Sequence, residues 1–360
     1  MASGLVGAQT QRAQELEQQG QWKDAESAWR QVLEQNPRDA TASAHLGLVL
    51  AREQDYPGAV DAYRQALKLN PEIPGLQLDL GLALFKEGKL EQAIAPLKAA
   101  AAAAPGNPQP RILLGMSYYG AGQFAEAIPY LRFAAQKSPD NEELLGVLAQ
   151  SCLWAKQYNC TLEEYKRILA VNPNSAQAHM MAGEALDAQR HTTEAIAEFR
   201  AAEKVAPEEP NVHFGLGYLL WTQHQYPEAE QEFELEMKND PHYAQALAYL
   251  GDTEIKLQKP AQTFLEKAVH LPGVPRLAWL DLGIVLADQG KNDEATADFE
   301  RAIVMDPKEV DAHWRLARLY QAEGRKDEAR AEFAKAATLH QQQDESLVQR
   351  ISGPHPRDHP

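Results

Sequence analysis

Apolar residues recur through almost the whole chain at the three- and four-residue spacing of amphipathic helices. The stretch NVHFGLGYLLWTQHQYPEAE, residues 211–230, carries two apolar stripes instead of one. Leu216 and Leu220 lie on the first stripe. Phe214, Tyr218 and Trp221 form the second, which is turned roughly 110° around the helix at 3.6 residues per turn. Since a helix that packs only within its own hairpin needs a single stripe, the second one indicates a further contact surface.

Three residue types mark the chain at an interval of 34 residues. The prolines of the first series are Pro37, Pro71, Pro105, Pro139, Pro173, Pro207 and Pro241. The glycines are Gly47, Gly81, Gly115, Gly183, Gly217 and Gly251, with Ala149 in the gap. The alanines are Ala25, Ala59, Ala93, Ala127, Ala195 and Ala229, with Thr161 in the gap. Proline ends a helix and small residues let two helices approach closely, so each 34-residue unit is predicted to be a helical hairpin.

The order of the marker residues within a unit resembles the tetratricopeptide repeat. Unit 40–73 shows that order at Leu46, Gly47, Tyr56, Ala59, Tyr63, Ala66 and Pro71. The resemblance covers nearly the whole chain and implies an all-α fold, a right-handed superhelical solenoid of hairpins. In each hairpin the first helix, helix A, faces a concave groove, and the second is helix B. Ten units are predicted, at 6–39, 40–73, 74–107, 108–141, 142–175, 176–209, 210–243, 244–275, 276–309 and 310–343.

Some units depart from the repeat. Unit 142–175 has Thr161 in place of the alanine and Lys156 in place of the turn glycine. Unit 244–275 is two residues shorter than the others and has Pro260 in its turn, which makes its register uncertain. After the last unit, residues 344–352 carry a short apolar stripe that we expect to cap the solenoid as a helix. Residues 353–360 are predicted to be a disordered tail.

Charge and composition exclude some classes of binding partner. The chain has 35 basic and 51 acidic residues and a net charge of −16, which disfavours nucleic acid and anionic membrane surfaces. No run of 18 apolar residues occurs, so membrane insertion is not expected. The first residues do not resemble a secretory signal. We therefore expect a cytoplasmic protein, or a periplasmic or secreted one if a signal was removed.

No sequence pattern for catalysis or cofactor binding occurs. A phosphate-binding loop, the HExxH zinc motif and the GxSxG nucleophile motif are all missing from the sequence. His179, His213 and His313 recur at one repeat position, which favours packing over metal binding. For Cys152 and Cys160, both free thiols and a mutual disulfide remain open. We expect no enzyme activity, no cofactor and no metal.

The resemblance places repeat positions 5, 9 and 12 of helix A on the groove side. The candidate groove residues taken from these positions are Leu78, Leu82, Phe85, Ile112, Met116, Tyr119, Leu153, Met180, Glu184, Asp187, Phe214, Tyr218, Trp221, Asp252 and Trp314. The set is apolar and aromatic, with an acidic notch at Glu184, Asp187 and Asp252. The aliphatic members can instead seal the contact between adjacent repeats. The Lys and Asn pair that binds terminal carboxylates in some family members, and the asparagine ladder at position 6 in others, do not occur here.

The predicted function is a protein-binding scaffold or adaptor without enzyme activity. Its groove would bind a protein or peptide segment with apolar anchors, and one Lys or Arg of that segment would meet the acidic notch. Exposed aromatic side chains are typical of such interfaces. One alternative is the non-catalytic repeat portion of an enzyme such as a glycosyltransferase. Another is a self-associating structural protein.

Overall fold

The computed structural model describes the backbone of residues 2–352 and the side chains of residues 7–345. Twenty α-helices, and no strand, make up the regular structure of this described backbone. Their bounds are α1 Ala2–Gln18, α2 Trp22–Gln35, α3 Ala40–Arg52, α4 Tyr56–Leu69, α5 Leu76–Lys86, α6 Leu90–Ala103, α7 Gln109–Gly120, α8 Phe124–Lys137, α9 Glu142–Trp154, α10 Tyr158–Val171, α11 Ala176–Ala188, α12 Thr192–Val205, α13 Val212–Thr222, α14 Tyr226–Asn239, α15 Ala244–Lys256, α16 Gln262–Val269, α17 Arg276–Asp288, α18 Asn292–Met305, α19 Val310–Ala322 and α20 Lys326–Ser352.

The helices form two compact units, residues 1–189 and 190–360. The first unit contains α1 to α11, and the second contains α12 to α20. Within each unit, consecutive helices pack against each other, and alternate helices such as α15 and α17 also touch. The predicted all-α class, with helical hairpins stacked in chain order, is confirmed. The exact repeat boundaries, and a single solenoid over 6–343, stay predictions.

The turn inside each hairpin uses one left-handed residue. Gly88 has φ 81°, where glycine pays no steric penalty. Lys156 stands at the corresponding position of a later hairpin and adopts φ 58°. The loss of the turn glycine in unit 142–175 therefore leaves the turn geometry intact. Two helices packed on either side of the turn hold the lysine in a conformation that its own preference disfavours.

Small residues stand where helix A and helix B of a hairpin approach most closely. A methyl group added at Gly47 would lie 2.5 Å from two ring carbons of Tyr63. A methyl group added at Gly217 would lie 2.8 Å from a ring carbon of Phe233. At Gly81 and Gly251 the neighbour is a leucine of helix B instead, so these glycines mark sites where a large side chain of helix B packs closely on helix A. The buried core of the first unit, which includes Tyr63, extends from Ala13 to Ala185, and a core cluster of the second unit extends from Leu247 to Ala329.

Unit 244–275 has the shortest second helix among the described hairpins. Helix α16 has 8 residues, whereas α14 and α18 have 14 each. Its shortness leaves a cavity of about 940 Å³, lined largely by apolar side chains such as Leu247, Trp279 and Leu282. The shortened sequence thus changes the packing around α16 while α15 and α17 still touch each other.

Two terminal predictions fall at the end of the described chain. Residues 344–352 continue helix α20 without a break and do not form a separate helix. The absence of a proline at Gln341 permits this continuation. Their capping role stays a prediction, and the predicted tail at 353–360 lies outside the described residues. No helix of the described chain is long and apolar enough to cross a membrane.

Cys152 and Cys160 are joined by a disulfide, with their Cα atoms 5.7 Å apart. Cys152 lies in α9 and Cys160 in α10, so the bond links the two helices of one hairpin. The sequence left open whether the two cysteines are free thiols or form a disulfide, and in the structure they form the disulfide. Both cysteines are buried, and the guanidinium of Arg132 donates a hydrogen bond of 3.3 Å to the Cys160 sulfur.

Candidate functional site

In the second unit, the second apolar stripe of α13 packs against α15. The rings of Tyr218 and Trp221 lie 5.5 Å and 5.2 Å from the Tyr249 ring, measured between centroids and in edge-to-face geometry. Phe214 approaches the same tyrosine at 5.8 Å. All four side chains are half-buried. One neighbouring helix therefore covers part of the stripe, and the remainder of each ring stays open to solvent.

The start of α13 is held by a carboxylate from α14. Glu236 accepts hydrogen bonds from the backbone N–H groups of Asn211 at 3.1 Å and Phe214 at 3.0 Å. Its side chain is buried, and it stands where most other units have alanine. A helix leaves its first N–H groups without backbone partners and favours negative charge at this end. Glu236 therefore fixes the helix that carries the aromatic stripe, and sequence reasoning missed it.

Two buried carboxyl groups follow the stripe on α15 and α17. Asp252 accepts a hydrogen bond of 2.7 Å from the Trp221 indole nitrogen and lies 3.5 Å from the ammonium of Lys256. Asp281 is only 4% exposed, and one of its oxygens has no hydrogen-bond partner in the described structure. Burial, and then the Asp252 carboxylate, raises the pKa of Asp281 to about 8. Sequence reasoning missed Asp281 and included Asp252.

Trp314 of α19 is the most exposed of the predicted aromatic residues, at 41%. The guanidinium of Arg318 lies 4.9 Å from the centre of its ring, in a cation–π contact. A shallow cavity of about 300 Å³ runs beside this pair and reaches Ile284 on α17. The open tryptophan and the flanking cation give this part of α19 an accessible, amphipathic surface.

In the first unit, an aromatic cluster surrounds Tyr119. Its ring stacks with Trp154 at 6.1 Å, and Phe124 approaches the tryptophan at 4.5 Å. The Tyr119 hydroxyl donates a hydrogen bond of 2.6 Å to the side-chain oxygen of Gln150. Trp154 is 49% exposed, although it lies one residue beyond the repeat position used to select candidates. The structure thus adds Trp154 to this surface.

The other predicted residues of the first unit differ in their exposure. Leu153 is buried, and Glu184 is exposed. The half-buried ones are Leu78, Leu82, Phe85, Ile112, Met116, Met180 and Asp187. Desolvation by the surrounding protein raises the pKa of Glu184 even though this residue is exposed. Among the half-buried residues, Leu78, Phe85 and Met116 pack against the core, so part of each side chain seals repeats together.

The predicted acidic notch is divided between the two units. Glu184 and Asp187 lie on α11 of the first unit, and Asp252 lies on α15 of the second. Asp252 is buried and is joined by Asp281, so the second unit has an acidic pair of its own. Each unit therefore presents acidic and aromatic side chains on its A helices.

One group of described side chains has donor spacing suited to a metal ion. It consists of Glu203, His213 and Glu232, whose ligand atoms all lie within 4.8 Å of one another. His213 and His313 are both buried, as expected for packing positions, and each bonds a glutamate 19 residues further along the chain. No metal was expected, because His179, His213 and His313 recur at one repeat position, which favours packing. The carboxylates beside His213 were not considered.

Structural comparison finds repeat proteins of low sequence identity. PilF of Pseudomonas aeruginosa is 20% identical, with a TM-score of 0.52 over 60% of this chain and 97% of its own. A tetratricopeptide repeat protein of Parabacteroides merdae is 16% identical, with a TM-score of 0.48 over 68% and 97% of the two chains. YrrB, described as having an unusual peptide-binding site, is 22% identical, with a TM-score of 0.42 over 52% and 97%. The PilF similarity supports the fold alone.

Sequence comparison gives the family directly. No curated protein sequence matches the chain. The tetratricopeptide repeat profile matches residues 10–72, 52–108, 180–244 and 280–344, and a second profile of the same description matches 118–185. These matches are spread over both compact units. The resemblance seen in the repeat markers is therefore confirmed, and the chain belongs to the tetratricopeptide repeat family.

Proposed function

We propose that this protein is a scaffold without enzyme activity that binds peptide segments on the A helices of its hairpins. The observation that carries the proposal is an open aromatic side chain on an A helix of each unit, Trp154 in the first and Trp314 in the second, 49% and 41% exposed. Contiguous exposed apolar surface marks interaction sites, and tryptophan is enriched among the residues that dominate binding energy. The tetratricopeptide repeat fold supports the same role.

The chemistry of the surface specifies the class of peptide. In the first unit, apolar side chains would contact Trp154, and a Lys or Arg would approach Glu184 and Asp187 on α11. The net charge of −16 favours a cationic ligand. Nucleic acid and anionic membranes are disfavoured by the same charge, and a cytoplasmic location stays a prediction.

Pre-organisation supports binding at these positions. The Trp221 indole is held by Asp252, the start of α13 is held by Glu236, and Tyr119 is held by Gln150. Side chains that are already fixed lose little conformational entropy when a ligand arrives. A peptide would therefore bind a surface whose shape exists before binding, and the cost of ordering would fall on the peptide.

A random peptide display library tests the proposal. Selection against the wild-type protein should enrich segments that combine apolar residues with Lys or Arg. For a selected peptide, Trp154→Ala or Trp314→Ala should weaken binding about 10-fold or more, as expected for an anchor worth at least about 1.4 kcal/mol. Val304→Ala is the matched control, because Val304 is 71% exposed on helix B of its hairpin.

Several outcomes would overturn the proposal. A library that yields no binder would do so, and so would equal affinity in all three variants. Circular dichroism of each variant shows whether the helices remain intact. Light scattering across concentrations separates peptide binding from self-association, because a self-associating chain would cover the same tryptophans with a second copy.

A further inference from the structure

Three helices of the second unit bring an imidazole and two carboxylates together. Glu203 belongs to α12, His213 to α13 and Glu232 to α14. One donor atom from each lies within 4.8 Å of the other two. His213 is 3% exposed, and its Nδ1 lies 2.7 Å from a Glu232 oxygen. The group is therefore anchored by a buried histidine and reached from helices of two adjacent repeats.

The same histidine and glutamate recur 100 residues later without the second carboxylate. His313 lies 2.5 Å from Glu332, which is again 19 residues further along the chain. Ile303 stands where Glu203 stands in the earlier repeat, and it lines a cavity together with His313. The histidine–glutamate pair therefore forms in this fold without a second acid. Packing of the histidine gives no reason for Glu203.

The two repeats also differ in how the glutamate is neutralised. Glu332 forms an ion pair of 2.6 Å with Lys335. The residue corresponding to Lys335 in the earlier repeat is Leu235, which carries no charge. Two carboxylates therefore face one imidazole without the lysine that pairs with the glutamate of the later repeat, and a divalent cation would bridge them.

We propose that Glu203, His213 and Glu232 bind one Zn²⁺ ion. Zinc accepts imidazole nitrogen and carboxylate oxygen at about 2.0–2.2 Å, commonly with three protein ligands and one water. Donor atoms around such an ion lie about 3.3 Å apart, so small side-chain rotations would bring this group into place. The ion would join α12 to the α13–α14 hairpin. It would thus brace the helix that carries Phe214, Tyr218 and Trp221.

Metal titration of the untagged, chelator-treated protein tests the site. Zn²⁺ binding is followed by isothermal titration calorimetry, and Co²⁺ binding by visible absorbance, which reports coordination by the protein. Wild-type protein should bind one equivalent. Glu203→Ile, which copies the residue of the later repeat, should lose at least tenfold in affinity while its helical circular dichroism is unchanged. Glu203→Gln should give the same loss with a smaller change in side-chain volume.

The later repeat offers a gain-of-function control. Ile303→Glu together with Lys335→Leu copies Glu203 and Leu235 into that repeat, and this double variant should bind a second equivalent. Failure of the folded double variant to gain an equivalent would contradict the ligand assignment. Absence of binding by the wild type, or unchanged binding by Glu203→Ile, would overturn the proposal.

Discussion

Two glycine-to-alanine substitutions on A helices of the first unit should change stability in opposite directions. At Gly47 the added methyl group would lie 2.5 Å from two carbons of the Tyr63 ring, which is 2% exposed and cannot swing away. Overpacking of this kind costs about 1–3 kcal/mol, against a helix gain of about 0.5–1 kcal/mol for replacing glycine. The net expectation is a loss of about 1–2 kcal/mol.

Gly146 is the matched control, because it lies within α9 and an added methyl group would meet nothing within 4 Å. Gly146→Ala should therefore keep only the helix gain of about 0.5–1 kcal/mol. At about 2–4 °C per kcal/mol, Gly47→Ala should lower the melting temperature by roughly 2–8 °C and Gly146→Ala should raise it slightly. Thermal and urea unfolding, followed by circular dichroism, measure both changes.

Combining Gly47→Ala with Tyr63→Leu tests whether the Tyr63 ring causes the loss of stability. With Tyr63→Leu in the background, the clash is relieved, and the cost of Gly47→Ala should fall below about 1 kcal/mol. If Gly47→Ala and Gly146→Ala change stability equally and with the same sign, the glycine series does not mark close helix approach. The same conclusion holds if Tyr63→Leu leaves the cost of Gly47→Ala unchanged.

Two further substitutions test the buried polar groups of the second unit. Since the pKa of Asp281 is raised to about 8, its ionisation destabilises the folded state as pH rises from about 4 to about 8. Asp281→Asn should therefore match the wild type near pH 4 and exceed it by about 2–5 kcal/mol at pH 8 in urea unfolding, and a constant difference across that range would contradict the raised pKa. Trp221→Phe removes the indole N–H that donates to Asp252 and should cost about 1–3 kcal/mol by urea unfolding. The exposed Trp314, changed to Phe, should stay within about 0.5 kcal/mol of the wild type, and equal effects at the two tryptophans would refute the role of the hydrogen bond.

The repeat architecture could be predicted because each marker residue has a local physical role. Glycine and alanine permit close approach, proline ends helix B, and together they define each hairpin without long-range information. Lys156 shows why the prediction survives an exception, since the packed helices hold it in the left-handed turn at φ 58°. The disulfide between Cys152 and Cys160 was left open, because sequence alone does not give the distance between two helices.

The candidate surface could be predicted only in part, because exposure depends on what the next helix places opposite. The stripe on α13 was identified from spacing, but the covering ring of Tyr249 belongs to another repeat. Trp154 was not among the candidate groove residues, because it lies one residue beyond the selected repeat positions. Glu236 and Glu203 could have been identified by comparing the repeats, since each is an acid where another repeat has an apolar residue.

We propose that Trp154 and Trp314, on the A helices, bind peptides. Calorimetric titration of a display-selected peptide against the wild type, Trp154→Ala, Trp314→Ala and Val304→Ala tests it most directly. Tight binding is expected for the wild type and Val304→Ala, with at least about 10-fold weaker binding by one tryptophan variant that keeps its helical circular dichroism. Equal affinity for all four folded proteins would contradict it.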